Sequence, residues 1–185
     1  MKASIRELLN TPEPPELGPG PREGVAAEQT LEKRLEEVLG RMELGSEEQK
    51  LIRALVLLWH DHLESAHILA QAVETADGAF VHGIMHRREP DFGNAKYCFR
   101  RVGTHAAFGQ IAARAKSVLQ AAGERQLEQG LIGRGEWDPF AFVDACERAA
   151  GAHVSMLREI QSAEFEASLD HLIECKNWQP KDGNR

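Results

Sequence analysis

Cysteine, aromatic residues and long apolar runs are all scarce in this chain, and each shortage argues against a class of protein. There are three cysteines in 185 residues. Cys98, Cys146 and Cys175 are widely separated and form no C-x-x-C pair, which argues against a disulfide framework or a zinc ribbon and for reduced, mostly buried thiols. No apolar stretch approaches the ~20 residues that a membrane-spanning helix needs. The segment "MKASIRELLNTPEPPELGPGPREG" has neither the continuous apolar core nor the small-residue cleavage site of a secretory signal, so a cytoplasmic location is expected. Aromatic residues are 6% of the chain with a single tyrosine, and no segment alternates long enough to make a convincing strand. Basic residues are outnumbered, 22 Lys and Arg against 29 Asp and Glu, and the net charge of −7 argues against nucleic acid or an anionic membrane as a partner. H-E-x-x-H, G-x-S-x-G, the P-loop and G-x-G-x-x-G are absent too.

What is present is helical periodicity. The length suits one domain with a single core, and the expected fold is an all-α, single-domain helical bundle. Pro12, Pro14, Pro15, Pro19 and Pro21, interleaved with Gly18, Gly20 and Gly24, rule out regular structure near the start. Residues 1–26 therefore read as a proline- and glycine-rich arm with a short helical start at "SIRELLN", and the composition is that of a flexible tail. Residues 27–178 form the helical domain and 179–185 a C-terminal tail. Leu31, Leu35, Val38, Leu39 and Met42 mark the first amphipathic helix. Ser46 with Gln49 is spaced as a capping box for a long helix over about residues 47–73. "TADG" reads as a turn. Further helices are expected at 92–101, 105–122 and 124–132, then after the Asp138-Pro139 start signal, and finally through "HVSMLREIQSAEFEASLDHLIEC".

The long helix is the most informative segment. Laid out at about 100° per residue from Leu51, its apolar side chains fill one broad arc, and Leu57 and Ile68 add a second. Such a helix belongs at the centre of the bundle. Between the apolar sectors lie His67, His60, Gln71 and Glu64, a polar stripe that needs partners if buried. His62 falls within the apolar arc and reads as a core histidine bonded to backbone; Asp61 reads as orienting a neighbour or facing solvent.

Partners stand nearby in "VHGIMHRREPDFGNAKYCFRRVGTH", residues 81–105. Arg87, Arg88, Lys96, Arg100 and Arg101 outweigh Glu89 and Asp91 there, making a basic island of +3 in an acidic chain. Three readings stay open. The first is a cleft for a small anionic or polar ligand, bound by His67, Arg87, Arg88, Lys96, Tyr97, Arg100, Arg101 and His105, because guanidinium forks suit carboxylate and phosphate. A catalytic form of it uses His60, Glu64 or His86 as general base. The second is a divalent-metal site, for a metal-dependent enzyme, drawn from His60, Glu64, His67, His82 and His86. Glu64 and His67 have the Glu-x-x-His spacing of helical metal ligands, and His82 and His86 share a face if residues 80–87 are helical. His60 and His67 lie about 10.5 Å apart along one straight helix, so a single ion would not collect all of them. The third is a structural polar network in a non-catalytic protein that acts through a protein partner or as a homo-oligomer.

"LLWHDHLESAH" followed by "VHGIMHRREPDFGNAKYCFRRVGTH" resembles a family of small bacterial and fungal proteins with a W-H-D-H helix before an H-R-R-E-P-D…N-A-K-Y-W-F-R-R-V-G-x-H block. The similarity covers about residues 50–108, with weaker echoes in "EWDPFAFVD" and "IQSAEFEASLDHL". The chain departs from the pattern at Cys98, in place of tryptophan, and in a less apolar final helix. The resemblance implies that His60, His86, Arg87, Arg88, Asn94, Lys96, Tyr97, Arg100, Arg101 and His105 belong to one shared block. It brings no activity.

Overall fold

A computed structural model of the chain describes residues 5–174. Among them are nine α-helices and no strand: α1 (Glu28–Leu39), α2 (Ser46–Trp59), α3 (Leu63–Gln71), α4 (Ala76–Arg88), α5 (Phe92–Val102), α6 (Phe108–Ala122), α7 (Arg125–Ile132), α8 (Pro139–Glu147) and α9 (Ala152–Glu174). Cys175 and the tail at 179–185 lie outside the described residues. Cys98 and Cys146 are buried free thiols.

The start signals act unequally. Asp138 caps α8, accepting from the N–H groups of Phe140 and Ala141 at 2.9 and 3.0 Å with proline in the first turn. At α2 the expected capping box does not form: Gly45 is the cap residue, and the Gln49 side chain donates to the carbonyl of Leu44 at 3.0 Å. "TADG" is not a free turn but the start of α4, where the Thr75 hydroxyl accepts from Gly78 N–H at 3.1 Å.

The expected helix over 47–73 is two helices. Asp61 adopts φ 66°, in the left-handed region, and separates α2 from α3. Few residues tolerate that conformation; aspartate is among them. Every residue of α2 from Ala54 through Trp59 is buried, whereas α3 buries only Ala66 and Ala70. Ile68, placed in an apolar sector by the straight-helix wheel, is 55% exposed, because the break resets the phase of everything after residue 60.

The N-terminal segment is packed against the helices and is no free tail. Ile5, Leu8 and Leu9 join the core. An extended proline-rich strand of chain leaves its carbonyls without internal partners. Arginines from distant helices supply them: Arg88 donates to Glu16 and Gly18 carbonyls at 3.0 and 3.1 Å, and Arg158 to Pro14 and Pro15 carbonyls at 2.5 and 3.3 Å. The Gln161 amide donates to Pro15 and Glu16 carbonyls.

α4 runs through the middle of this arrangement. It packs most extensively on α5, and also on α2 and α3, while α9 covers α2 and α6. Because α3 and α4 are neighbours joined by a short connection, polar groups on their facing sides meet.

Candidate metal centre

His67 on α3 faces His82 and His86, which stand one turn apart on α4 and so share a face. The ring centroids are 4.8 Å apart for His67 and His82, 5.1 Å for His67 and His86, and 4.5 Å for His82 and His86. One ring nitrogen from each lies within 4.8 Å of the other two. Three imidazoles on a tetrahedral zinc, each nitrogen about 2.0–2.1 Å from the ion, put their centroids roughly 5 Å apart. The spacing fits a shared cation.

The electrostatics agree with the spacing. Burial, then the neighbouring His86 and His67, then Arg101, lower His82 to about 4. His86 is lowered too, by burial and then His67, against the opposing pull of Glu89 and Asp91. Both rings are thus neutral near pH 7, the form that binds a metal. Two nitrogens are also buried without a hydrogen-bond partner, Nε2 of His82 and Nδ1 of His86. The Glu89 carboxylate is 3.5 Å from that Nδ1, at the outer edge of hydrogen-bond range, and opposes the lowering of His86. Orphaned buried polar atoms are uncommon and costly; among the described residues Arg87 Nε and Trp137 Nε1 are the other two, and neither belongs to this cluster.

A second cluster has the opposite character. Asp77 Oδ1 lies 2.7 Å from His105 Nε2 and 3.0 Å from His171 Nε2, and these three also fall within metal-ligand range. Nδ1 of His105, however, accepts from Ala107 N–H at 3.2 Å. A neutral ring that accepts at Nδ1 carries its proton on Nε2 and cannot offer that nitrogen to a cation. His105 therefore donates to Asp77. The bonds from His105 and His171 hold Asp77 well below the ordinary carboxylate range, and Asp77 in turn raises His171. The cluster is a clamp tying the start of α4 to the 103–107 loop and to α9, and its donor set does not fit a metal.

No protein-family model matches the chain, and neither a curated protein nor a solved structure is significantly similar to it. The chemistry accordingly rests on the side chains alone.

The remaining sequence candidates are placed as follows. His60 stands apart from the three-histidine cluster: Ala26 N–H donates to its Nδ1 at 3.0 Å and its Nε2–H donates to the Leu8 carbonyl at 2.7 Å. Burial lowers it. His62 donates to the Ala26 carbonyl at 2.8 Å, a backbone bond as expected, though it is only half-buried. Glu64 is exposed on α3 and supplies no ligand to the cluster. Arg87 is fully buried, paired with Glu164 at 2.5 and 3.1 Å and with Gln161, and its guanidinium lies over Phe142. Arg88 is buried on Asp61 at 2.7 Å and on the Leu58 carbonyl. Lys96 pairs with Asp144. Arg100 and Arg101 are exposed, as is Tyr97, and Arg100 lies over the Tyr97 ring. The basic side chains thus do not converge with the histidines on one cleft.

Four residues carry more than their sequence pattern suggests. Asp61, read as orienting a neighbour or facing solvent, has a fully buried carboxylate that accepts from Arg22 at 2.5 Å and from Arg88. Glu164 and His171 lie on α9, about 80 residues or more from their partners, and no local pattern reports so distant a pairing. Asp77 had one visible signal, an acidic residue in the first turn of a helix.

Proposed function

We propose that the chain is a metalloprotein in which His67, His82 and His86 hold one divalent transition-metal ion of the zinc class, and that it acts as a metal-dependent enzyme of hydrolytic type. The observation that carries this reading is the convergence of the His67, His82 and His86 rings, two of them held neutral by burial, with Nε2 of His82 buried and unpartnered among them. A cation gives that nitrogen a partner that no described side chain gives it. Three imidazole donors with a fourth position left for water or substrate are the donor set of catalytic zinc sites, whereas structural sites are closed by four protein ligands. Such an ion supplies Lewis acidity and a bound water that ionises near neutral pH.

The protein's own contribution lies around the ion. With Nε2 of His86 turned to the metal, Glu89 is placed to take the Nδ1 proton, fixing the tautomer and raising the basicity of the ring. Neutral histidine donors suit zinc, nickel, copper or iron better than magnesium or calcium.

Calorimetric titration of chelator-treated, tag-free protein with zinc tests the reading. One equivalent is expected, lost in His67→Asn and His82→Asn and kept in His62→Asn. Zinc at 100 times its Kd should also stabilise the fold by about 2.7 kcal/mol. Equal zinc uptake by wild type and His82→Asn would sink the reading.

A further inference from the structure

α3 is held to the rest of the molecule by little besides its histidine. Of its nine residues only Ala66 and Ala70 are buried, Leu63 and Leu69 are partly covered, and Ile68 is 55% exposed. The neighbouring α4, by contrast, buries ten of its thirteen residues. Two alanine side chains hide little apolar surface, and a helix this short does not persist in water by its own hydrogen bonds. Polar ties are missing as well. Among the described residues, no side chain from Leu63 to Gln71 makes a hydrogen bond or an ion pair. The polar contact of α3 with the body is His67, whose ring lies 4.8 Å from His82 and 5.1 Å from His86 on α4. The chain on either side is firmly placed. Asp61 is fixed by Arg22 and Arg88, and His62 is bonded to the Ala26 carbonyl; beyond the helix Val73 is buried and the Thr75 hydroxyl caps α4. A weakly held helix thus stands between two anchored ends.

We infer that α3 is a latch closed by the metal ion: with the ion on His67, His82 and His86 the helix is held on α4, and without it α3 opens by local unfolding while α2, α4 and α9 stay folded. Local opening of this kind belongs to segments with few buried apolar contacts. A ligand shifts such an equilibrium only by its differential affinity for the two states, and His67 is the donor that differs. Opening carries His67 away from the two histidines on α4 and leaves the ion with two of its three ligands. Resting on the metal-centre reading, the latch adds regulation to it: the free concentration of a zinc-class cation sets how often α3 is open. Each opening uncovers the parts of α2 and α4 on which α3 packs.

The test is residue-resolved amide hydrogen exchange on the full-length protein, chelator-treated and zinc-loaded, with magnesium as the control cation and zinc uptake measured by calorimetry on the same samples. In the metal-free protein the amides of residues 66–71 are expected to have protection factors at least about tenfold below those of residues 81–86, and to respond little to low urea, the mark of an opening that exposes little surface. Zinc at 100 times its Kd should raise their protection about 100-fold, and magnesium should leave it unchanged. Metal-free α3 amides protected as well as those of α4, or as sensitive to urea, would show that α3 opens only with the whole fold and overturn the latch. Zinc uptake without added protection of α3 overturns the latch and leaves the centre. Absence of zinc uptake sinks the centre and the latch with it.

Discussion

Asp61 carries two structural tasks at once. Its buried carboxylate neutralises Arg22 and Arg88 while its own backbone sits in the left-handed region, so one side chain fixes the α2–α3 break and anchors the N-terminal segment. Replacing one partner of a buried pair leaves the other charge stranded at a cost of about 3–5 kcal/mol. Asp61→Ala is expected to destabilise by about that amount in urea unfolding, and a change below about 1 kcal/mol would show that the pair is not needed. Nothing local announces this role, because both arginines come from other parts of the chain. The three histidines are different. His82 and His86 were legible as a one-turn pair and His67 as a polar group on a mostly apolar helix. What the sequence could not separate was His60, whose nitrogens are both taken by the N-terminal segment, from rings that keep an orphaned nitrogen.

Helix content and most boundaries were readable from apolar periodicity and cap residues, as at Asp138 and Pro139. The break at residue 61 was hidden by that same periodicity, since Leu58, Trp59, Leu63, Ala66 and Ala70 continue an apolar pattern across it. A wheel drawn through the break then misplaces Ile68, whereas Ala66 and Ala70 stay on a buried side. α4 was legible only as a condition on residues 80–87, with "TADG" read as a turn, because its apolar residues lie all round it and mark no single stripe; its two faces divide the labour. Asp77 lies roughly 180° around the helix from His86 at 100° per residue, so the clamp and the centre face apart. The approach of α5 fixes α4 in place: a Cβ on Gly83 would meet Phe99 Cζ at 2.9 Å. Gly83→Ala should cost about 1–3 kcal/mol by overpacking and, lying between His82 and His86, should weaken zinc binding as well. Unchanged urea midpoint and zinc affinity would contradict that packing.

For the whole molecule, pH acts through several imidazoles at once. His60, His82 and His86 are all held below the ordinary value of 6.5, mainly by burial, with His82 near 4. The unfolded chain takes up protons that these sites refuse, so their contribution to stability is complete above 6.5 and shrinks as pH falls toward the folded values. His171, raised by Asp77, works in the other direction: its contribution is present below 6.5 and is lost as pH rises through its raised value. Asp77 is held low, so its share is present above 3.8 and disappears only in stronger acid. Three lowered rings outweigh one raised ring. The metal-free protein should lose urea stability between pH 6.5 and about 4, and a flat midpoint over that window would count against buried neutral histidines. The most direct test of the central claim is zinc K-edge X-ray absorption on the zinc-loaded protein. The account predicts a first shell containing three imidazole nitrogens at about 2.0–2.1 Å, reduced in His82→Asn; a shell of sulfur or carboxylate donors, or one that His82→Asn leaves intact, would contradict it.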